Sequence, residues 1–167
     1  LLQSEFLLEV CKKLKKENIH ICIDTAGIRR QSKVEDRVEK YSVLRAKMAI
    51  DRADVCLIMV DASAGVTEQD ERIAGLAHEA GKASIFVINK WDLVEKDNST
   101  TKTFEKDVYT HFSYMTYAPL LFISAKTGQR TEKLLTLVNK VNQNAERRIT
   151  TGTLNDVLHD AMSITEP

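Results

Sequence analysis

The sequence predicts an α/β fold in which helices flank a parallel β-sheet. Segments of strand length alternate with segments of helical length, an arrangement that implies right-handed crossovers between parallel strands. Residues 55–60 and 84–88 are almost wholly apolar, as strands covered on both faces should be. A short polar motif directly follows each of three predicted strands. Because ligands on such sheets bind beyond the carboxyl ends of the strands, these motifs mark the predicted binding edge.

The predicted elements follow one another along the whole chain. In order they are a helix over 4–16, a strand over 19–23, a polar loop over 27–35, a helix over 36–52, strand 55–60, helix 67–80, strand 84–88, helix 99–114, strand 120–123, helix 130–148 and a last helix from 153. Ser4 can cap the first helix, whose apolar residues recur on one face. Gly81 can end the helix over 67–80.

The composition is that of one ordinary globular domain. Of 167 residues, 43% are apolar and 29% are charged, and 24 basic residues balance 24 acidic ones. Zero net charge gives no general attraction for DNA or a membrane surface, and no apolar run approaches the ~20 residues of a membrane span. The three cysteines form no C-x-x-C pair, which favours reduced thiols over a metal site. We therefore expect a cytoplasmic protein with neither DNA nor membrane as a partner.

Asn89-Lys90-Trp91-Asp92 is the most specific of the three motifs. A carboxylate on a fixed loop can accept hydrogen bonds from both the N1–H and the 2-amino group of guanine, and adenine has no such donor pair. The stem of Lys90 can lie over the base, and the Asn89 side chain can join neighbouring loops. A polar turn is the alternative interpretation, and the context of the other motifs disfavours it.

The other two motifs are weaker alone and gain weight from their order. Ser124-Ala125-Lys126 follows the last strand, where a small side chain lets a backbone N–H approach a carbonyl such as guanine O6. Asp24-Thr25-Ala26-Gly27 follows the strand over 19–23. Asp24 can hold Mg²⁺ through water, and Gly27 can offer its N–H to a terminal phosphate.

Beyond these motifs, the chain resembles the GTPase Der family, also called EngA, over about residues 20–167. Stretches typical of the second G domain of that family run from Ile23 to Arg30, Val38 to Arg45, Gly65 to Asp70 and Ile73 to Lys82. The resemblance implies a P-loop GTPase-like fold of the Era type, binding of GTP, GDP and Mg²⁺, and a role with the large ribosomal subunit. It also places Ile28 in the nucleotide site, where other GTPases use a Gln to orient water.

No G-x-x-x-x-G-K-[ST] loop occurs in the sequence, and residues 1–23 contain no glycine. That loop holds the phosphates of such nucleotides, so we expect weak phosphate binding, negligible GTP hydrolysis by this chain alone and no catalytic residue to assign. A G-domain sheet without the strand of that loop has a gap beside the strand over 55–60. We expect the strand over 19–23 to pair there directly.

The predicted organisation has three parts. Residues 1–27 resemble a pyruvate formate-lyase activating enzyme, a radical S-adenosylmethionine enzyme, but carry no C-x-x-x-C-x-x-C cluster motif. We therefore expect a foreign helix over 1–18, joined to a G domain over 19–147. Residues 148–167 resemble the start of the KH-like domain of the Der family. The resulting function is guanine-nucleotide binding of the Der type, and the alternative is an inert chimeric fragment that binds no nucleotide.

Overall fold

The computed structural model describes residues 36–164 apart from Lys96 and Asn98, with side chains from Leu44 to Ser163. The helices are α1 (Asp36–Arg52), α2 (Glu68–Glu79), α3 (Thr100–His111), α4 (Thr131–Ala145) and α5 (Thr151–Ile164), and the strands are β1 (Val55–Asp61), β2 (Ala83–Asn89) and β3 (Leu120–Phe122). The predicted helix over 4–16 and the strand over 19–23 lie outside these residues, as does its pairing with β1.

The three described strands form one parallel sheet in the order β1-β2-β3. Asp61 and Asn89 are register partners at the last position of the β1–β2 pair. Their side chains therefore start at the same edge of the sheet, about one strand spacing of 4.8 Å apart. The predicted parallel α/β sheet flanked by helices is confirmed.

Strand β2 is the centre of the described core. Its residues alternate between the two faces because successive side chains of a strand point in opposite directions. Phe86 and Ile88 belong to one apolar cluster, which includes residues of α2 and α3, and Ile85 and Val87 belong to another, which includes residues of α4. This burial on both faces explains the almost continuous apolar sequence of β2 and holds its carboxyl end in place.

Helix ends differ from the predicted bounds by a few residues, and the backbone shows why. Arg130 has φ +59°, in the left-handed region, so α4 begins only at Thr131. Phe112 leaves the helical conformation at φ −108° and ψ +44°, so α3 ends at His111 and a separate 3₁₀ turn follows over Ser113–Met115. Gly81 has φ +63° just beyond α2, as predicted from the preference for glycine after a helix.

Candidate functional site

Asn89 connects two of the sequence motifs directly. Its side chain is 4% exposed, and its Oδ1 accepts a hydrogen bond of 3.0 Å from the N–H of Ala125. Two backbone bonds support this connection, since Trp91 N–H donates to Ile123 O at 3.1 Å and Ile123 N–H donates to Ile88 O at 2.8 Å. The loops after β2 and β3 are therefore held as one unit at the carboxyl edge of the sheet.

Replacing Asn89 with alanine is expected to lower the free energy of unfolding by about 1–3 kcal/mol, because the partly buried N–H of Ala125 loses its acceptor. Urea denaturation followed by circular dichroism measures this change. Asn142→Ala is the matched control, since the Asn142 side chain donates an exposed hydrogen bond of 3.0 Å to Glu146 within the same helical turn. Equal stability of the two variants would contradict a structural role for the Asn89 bond.

Lys90 has a backbone conformation that is uncommon for its residue type. Its φ of +62° and ψ of +29° lie in the left-handed region, which costs a residue with a Cβ about 1–2 kcal/mol. Leu93 N–H donates to Lys90 O at 3.0 Å and closes the turn. The Nζ atom of Lys90 forms an ion pair with Oδ2 of Asp61, at the end of β1. The lysine side chain therefore reaches from β2 across to β1 along the carboxyl edge.

Asp61 is itself oriented by Ser63. Its Oδ1 accepts from the N–H of Ser63 at 3.0 Å and from the Ser63 hydroxyl at 2.6 Å. Partial burial raises the pKa of the Asp61 carboxyl, but the hydrogen bonds from Lys90 and Ser63 outweigh burial and leave the pKa below its ordinary value. The stabilisation from these bonds is therefore present above the ordinary pKa of an aspartate and is lost as pH falls through the lowered value.

Trp91 serves the core through its side chain. The residue is 2% exposed, and its ring lies 4.2 Å from that of Phe122 and 5.6 Å from that of Phe104, measured between centroids. An indole packed in this way does not face a ligand. Trp91 was predicted as a nucleotide-site residue, and we infer that its side chain contributes indirectly. It anchors the 3₁₀ turn Trp91–Leu93, which carries the partly exposed Asp92.

The Ser124-Ala125-Lys126 loop uses most of its polar groups internally. Ser124 is fully buried, and its hydroxyl accepts from the N–H of Thr127 at 3.1 Å, while its own N–H donates to Gln129 O at 3.2 Å. The N–H of Ala125 is taken by Asn89. The N–H of Lys126 has no hydrogen-bond partner within the described part of the chain. This loop therefore presents a donor beside the Asn89 connection.

The sequence motifs did not single out Asp61 and Ser63, although the structure pairs Asp61 with Lys90 and Ser63 with Asp61. The sequence offered one indication of Asp61, namely that it directly follows the apolar run over 55–60 and so falls at the same predicted edge as the motifs. The residues predicted for the phosphate and metal side, Asp24, Thr25, Ala26, Gly27 and Ile28, lie outside the described residues. Within the described ranges, no group of three or more His, Cys, Asp or Glu residues could hold a metal ion.

Comparison with known proteins identifies the family. The family model described as the elongation factor Tu GTP binding domain matches residues 39–144, which is more than half of the chain. The chain belongs to this family. The matched range includes all the described site residues, from Asp61 to Lys126. The predicted similarity of this chain to GTP-binding domains is therefore confirmed.

Curated relatives within this family carry the name GTPase Der. The protein of Acetivibrio thermocellus is 53% identical over 154 residues, which cover 90% of this chain and 35% of the relative. The protein of Ruminiclostridium cellulolyticum is 57% identical over 145 residues, which cover 87% of this chain and 33% of the relative. The predicted resemblance to the Der type is confirmed, and the chain spans about a third of the length of these relatives.

A solved structure of Era, in complex with MgGDPNP and nucleotides 1506–1542 of 16S ribosomal RNA, has a similar fold. It aligns with a TM-score of 0.59 and 28% sequence identity, covering 71% of this chain and 38% of that one.

The resemblance of residues 1–27 to a radical S-adenosylmethionine enzyme gains no support from these matches. Of the helices that the structure describes, none has the length and apolar character needed to cross a membrane.

Proposed function

We propose that this chain binds the guanine base of GDP and GTP at the carboxyl edge of its sheet. The observation that carries the proposal is the hydrogen bond from Ala125 N–H to Asn89 Oδ1, which brings the Asn-Lys-x-Asp loop and the Ser-Ala-Lys loop together. Each loop supplies a different kind of group, a carboxylate from one and a backbone donor from the other. A guanine edge presents donors and an acceptor that match both.

Asp92 is proposed to read the donor side of the base. Its carboxylate accepts from the N1–H and the 2-amino group, while the stem of Lys90 covers one face of the ring. The turn that holds Asp92 is fixed by the buried Trp91 on one side and by the Leu93 to Lys90 backbone bond on the other. A fixed carboxylate discriminates well because a base without the two donors leaves it unpaired.

The acceptor side of the base, O6, is proposed to bind Lys126 rather than Ala125. The N–H of Ala125 already donates to Asn89, whereas that of Lys126 has no partner among the described residues. Because Lys126 follows Ala125 directly, its N–H lies beside the loop junction and meets no bulky side chain at position 125. Guanine O6 then accepts a bond that the 6-amino group of adenine cannot accept.

The rest of the nucleotide is proposed to contact the predicted phosphate-side residues. Asp24 would hold Mg²⁺ through water, and Gly27, with its neighbours Thr25, Ala26 and Ile28, would lie near the terminal phosphate. The similarity to GTPase Der also supports a ribosomal partner, which for the Der resemblance is the large subunit. Era, which is bound to 16S ribosomal RNA in its solved structure, supports the same class of partner.

The wider organisation is also a proposal. Residues 19–147 form a G domain that corresponds to the second G domain of the Der type, and residues 148–167 begin a KH-like domain. The helix α5 falls within this last segment. A foreign origin of residues 1–18 stays a hypothesis, which the nucleotide sequence across codons 20–30 would test.

Calorimetric titration of the purified 167-residue chain with GDP and with ADP tests the proposed base recognition. We expect heat of binding from GDP and a much weaker signal, or none, from ADP. Equal affinities would contradict guanine recognition. Absence of binding by either nucleotide would favour the alternative of an inert fragment.

A further inference from the structure

The ion pair between Asp61 and Lys90 joins a residue outside the predicted motifs to a member of one of them. We infer that Asp61 is a positioning residue for guanine-nucleotide binding, which holds the Lys90 side chain extended across the carboxyl edge so that its stem is ready to cover the base. This inference rests on the proposed function, and it adds a residue that does not itself touch the nucleotide.

The first argument is the geometry of the two strand ends. Asp61 is the register partner of Asn89, and Lys90 is the next residue after Asn89. The Lys90 side chain therefore has to run sideways from β2 to reach the carboxylate on β1. Four methylene groups that run along this edge form an apolar surface facing the region beyond the strand ends. An aromatic base bound in that region could pack against this surface.

The second argument is the orientation of the Asp61 carboxylate. Both donors of Ser63 bind Oδ1, while Lys90 binds Oδ2. The two oxygens thus have separate partners, and Ser63 turns the second oxygen towards Lys90. A carboxylate held in this way defines one end point for the lysine side chain.

The third argument is the mobility that Lys90 would otherwise have. Lysine has one of the largest side-chain entropies, and the Lys90 side chain is 44% exposed. The Lys90 backbone is already fixed in the left-handed region between buried Asn89 and buried Trp91. Tethering the tip to Asp61 orders the remaining torsions before ligand arrives, so less entropy is lost on binding.

A double-mutant cycle tests whether Asp61 acts through Lys90. GDP and ADP affinities are measured by calorimetry for the original chain, Asp61→Asn, Lys90→Met and the double variant, with thermal melting of each. We expect Asp61→Asn to weaken GDP binding by about fivefold. This is the size expected when an exposed ion pair is lost and the lysine side chain must be ordered by the ligand itself. In the Lys90→Met background, the same change should leave GDP affinity unaltered.

Lys82→Met is the matched control, because Lys82 precedes β2 at the opposite edge, where its Nζ donates to Asp51 O at 2.9 Å. Its GDP affinity should equal that of the original chain. Asp61→Glu and Ser63→Ala keep the test decisive if Asp61→Asn does not fold, and each should weaken GDP binding only when Lys90 is present. An equal loss in both backgrounds, or no loss in the original background, overturns the role of Asp61 while leaving guanine recognition intact. Failure of the original chain to prefer GDP over ADP instead overturns the proposed function, and the role of Asp61 with it.

Discussion

Asp92→Ala is expected to reduce the preference of the chain for GDP over ADP by about a hundredfold. The carboxylate makes two hydrogen bonds to guanine in the proposed site, and a hydrogen bond to a charged group contributes about 1.5–3 kcal/mol. Loss of about 3 kcal/mol corresponds to roughly two orders of magnitude in affinity. Calorimetric titration with both nucleotides measures the ratio.

Asp92→Asn gives a sharper form of the same experiment. The amide presents one acceptor and one donor in place of two acceptors, so it suits a base with an N1–H donor and a C2 carbonyl, as xanthine has. Xanthosine diphosphate should therefore bind this variant better than GDP does. Leu93→Ala, at a 59% exposed neighbouring position, serves as the control and should keep the preference for GDP. An unchanged preference in both Asp92 variants would remove Asp92 from the site.

Trp91→Ala is expected to lower the free energy of unfolding by about 3–5 kcal/mol, as removal of large buried aromatic side chains does. The ring is 2% exposed and packs against Phe122 and Phe104. For a chain of this size, the melting temperature should fall by about 10 °C. Differential scanning calorimetry or thermal circular dichroism measures it.

Trp91→Phe should recover much of the loss, because a smaller ring fills part of the same space. Leu93→Ala in the same 3₁₀ turn provides the control, with an expected change within about 0.5 kcal/mol. If Trp91→Ala and Leu93→Ala melted at the same temperature, Trp91 could not be the anchor of the turn that carries Asp92.

The strands and the edge of the sheet could be predicted because their signals are local. Residues 84–88 are apolar throughout, and β2 extends this run only to Ala83 and Asn89. The motif residues that end or follow these strands then meet at one edge because parallel strands share their direction. Helix ends were less predictable, since Arg130 adopts a left-handed conformation that its residue type does not indicate.

The role of Asp61 could not be predicted from the sequence. Nor could the sequence show which backbone N–H group of the Ser124 to Lys126 loop bonds within the protein and which one is open to a ligand. Asp61 matters because the sheet register sets it beside Asn89, a relation between residues that are distant in the chain. The N–H of Ala125 is unavailable to a ligand because Asn89 uses it, which depends on the packing of β3 against β2. The spacing of the motifs reveals neither the pairing of Asp61 with Lys90 nor the bond from Ala125 to Asn89.

The bond between Asn89 and Ala125 joins residues that are 36 positions apart. Closing so long a segment costs chain entropy before any contact across the junction is gained. A ligand held by both loops therefore binds only molecules in which β3 has docked on β2. By mass action it stabilises that docked state, by about 2.7 kcal/mol at a concentration one hundred times its dissociation constant. Occupancy of the site and docking of β3 on β2 are thus linked equilibria, and a change in either one shifts the other.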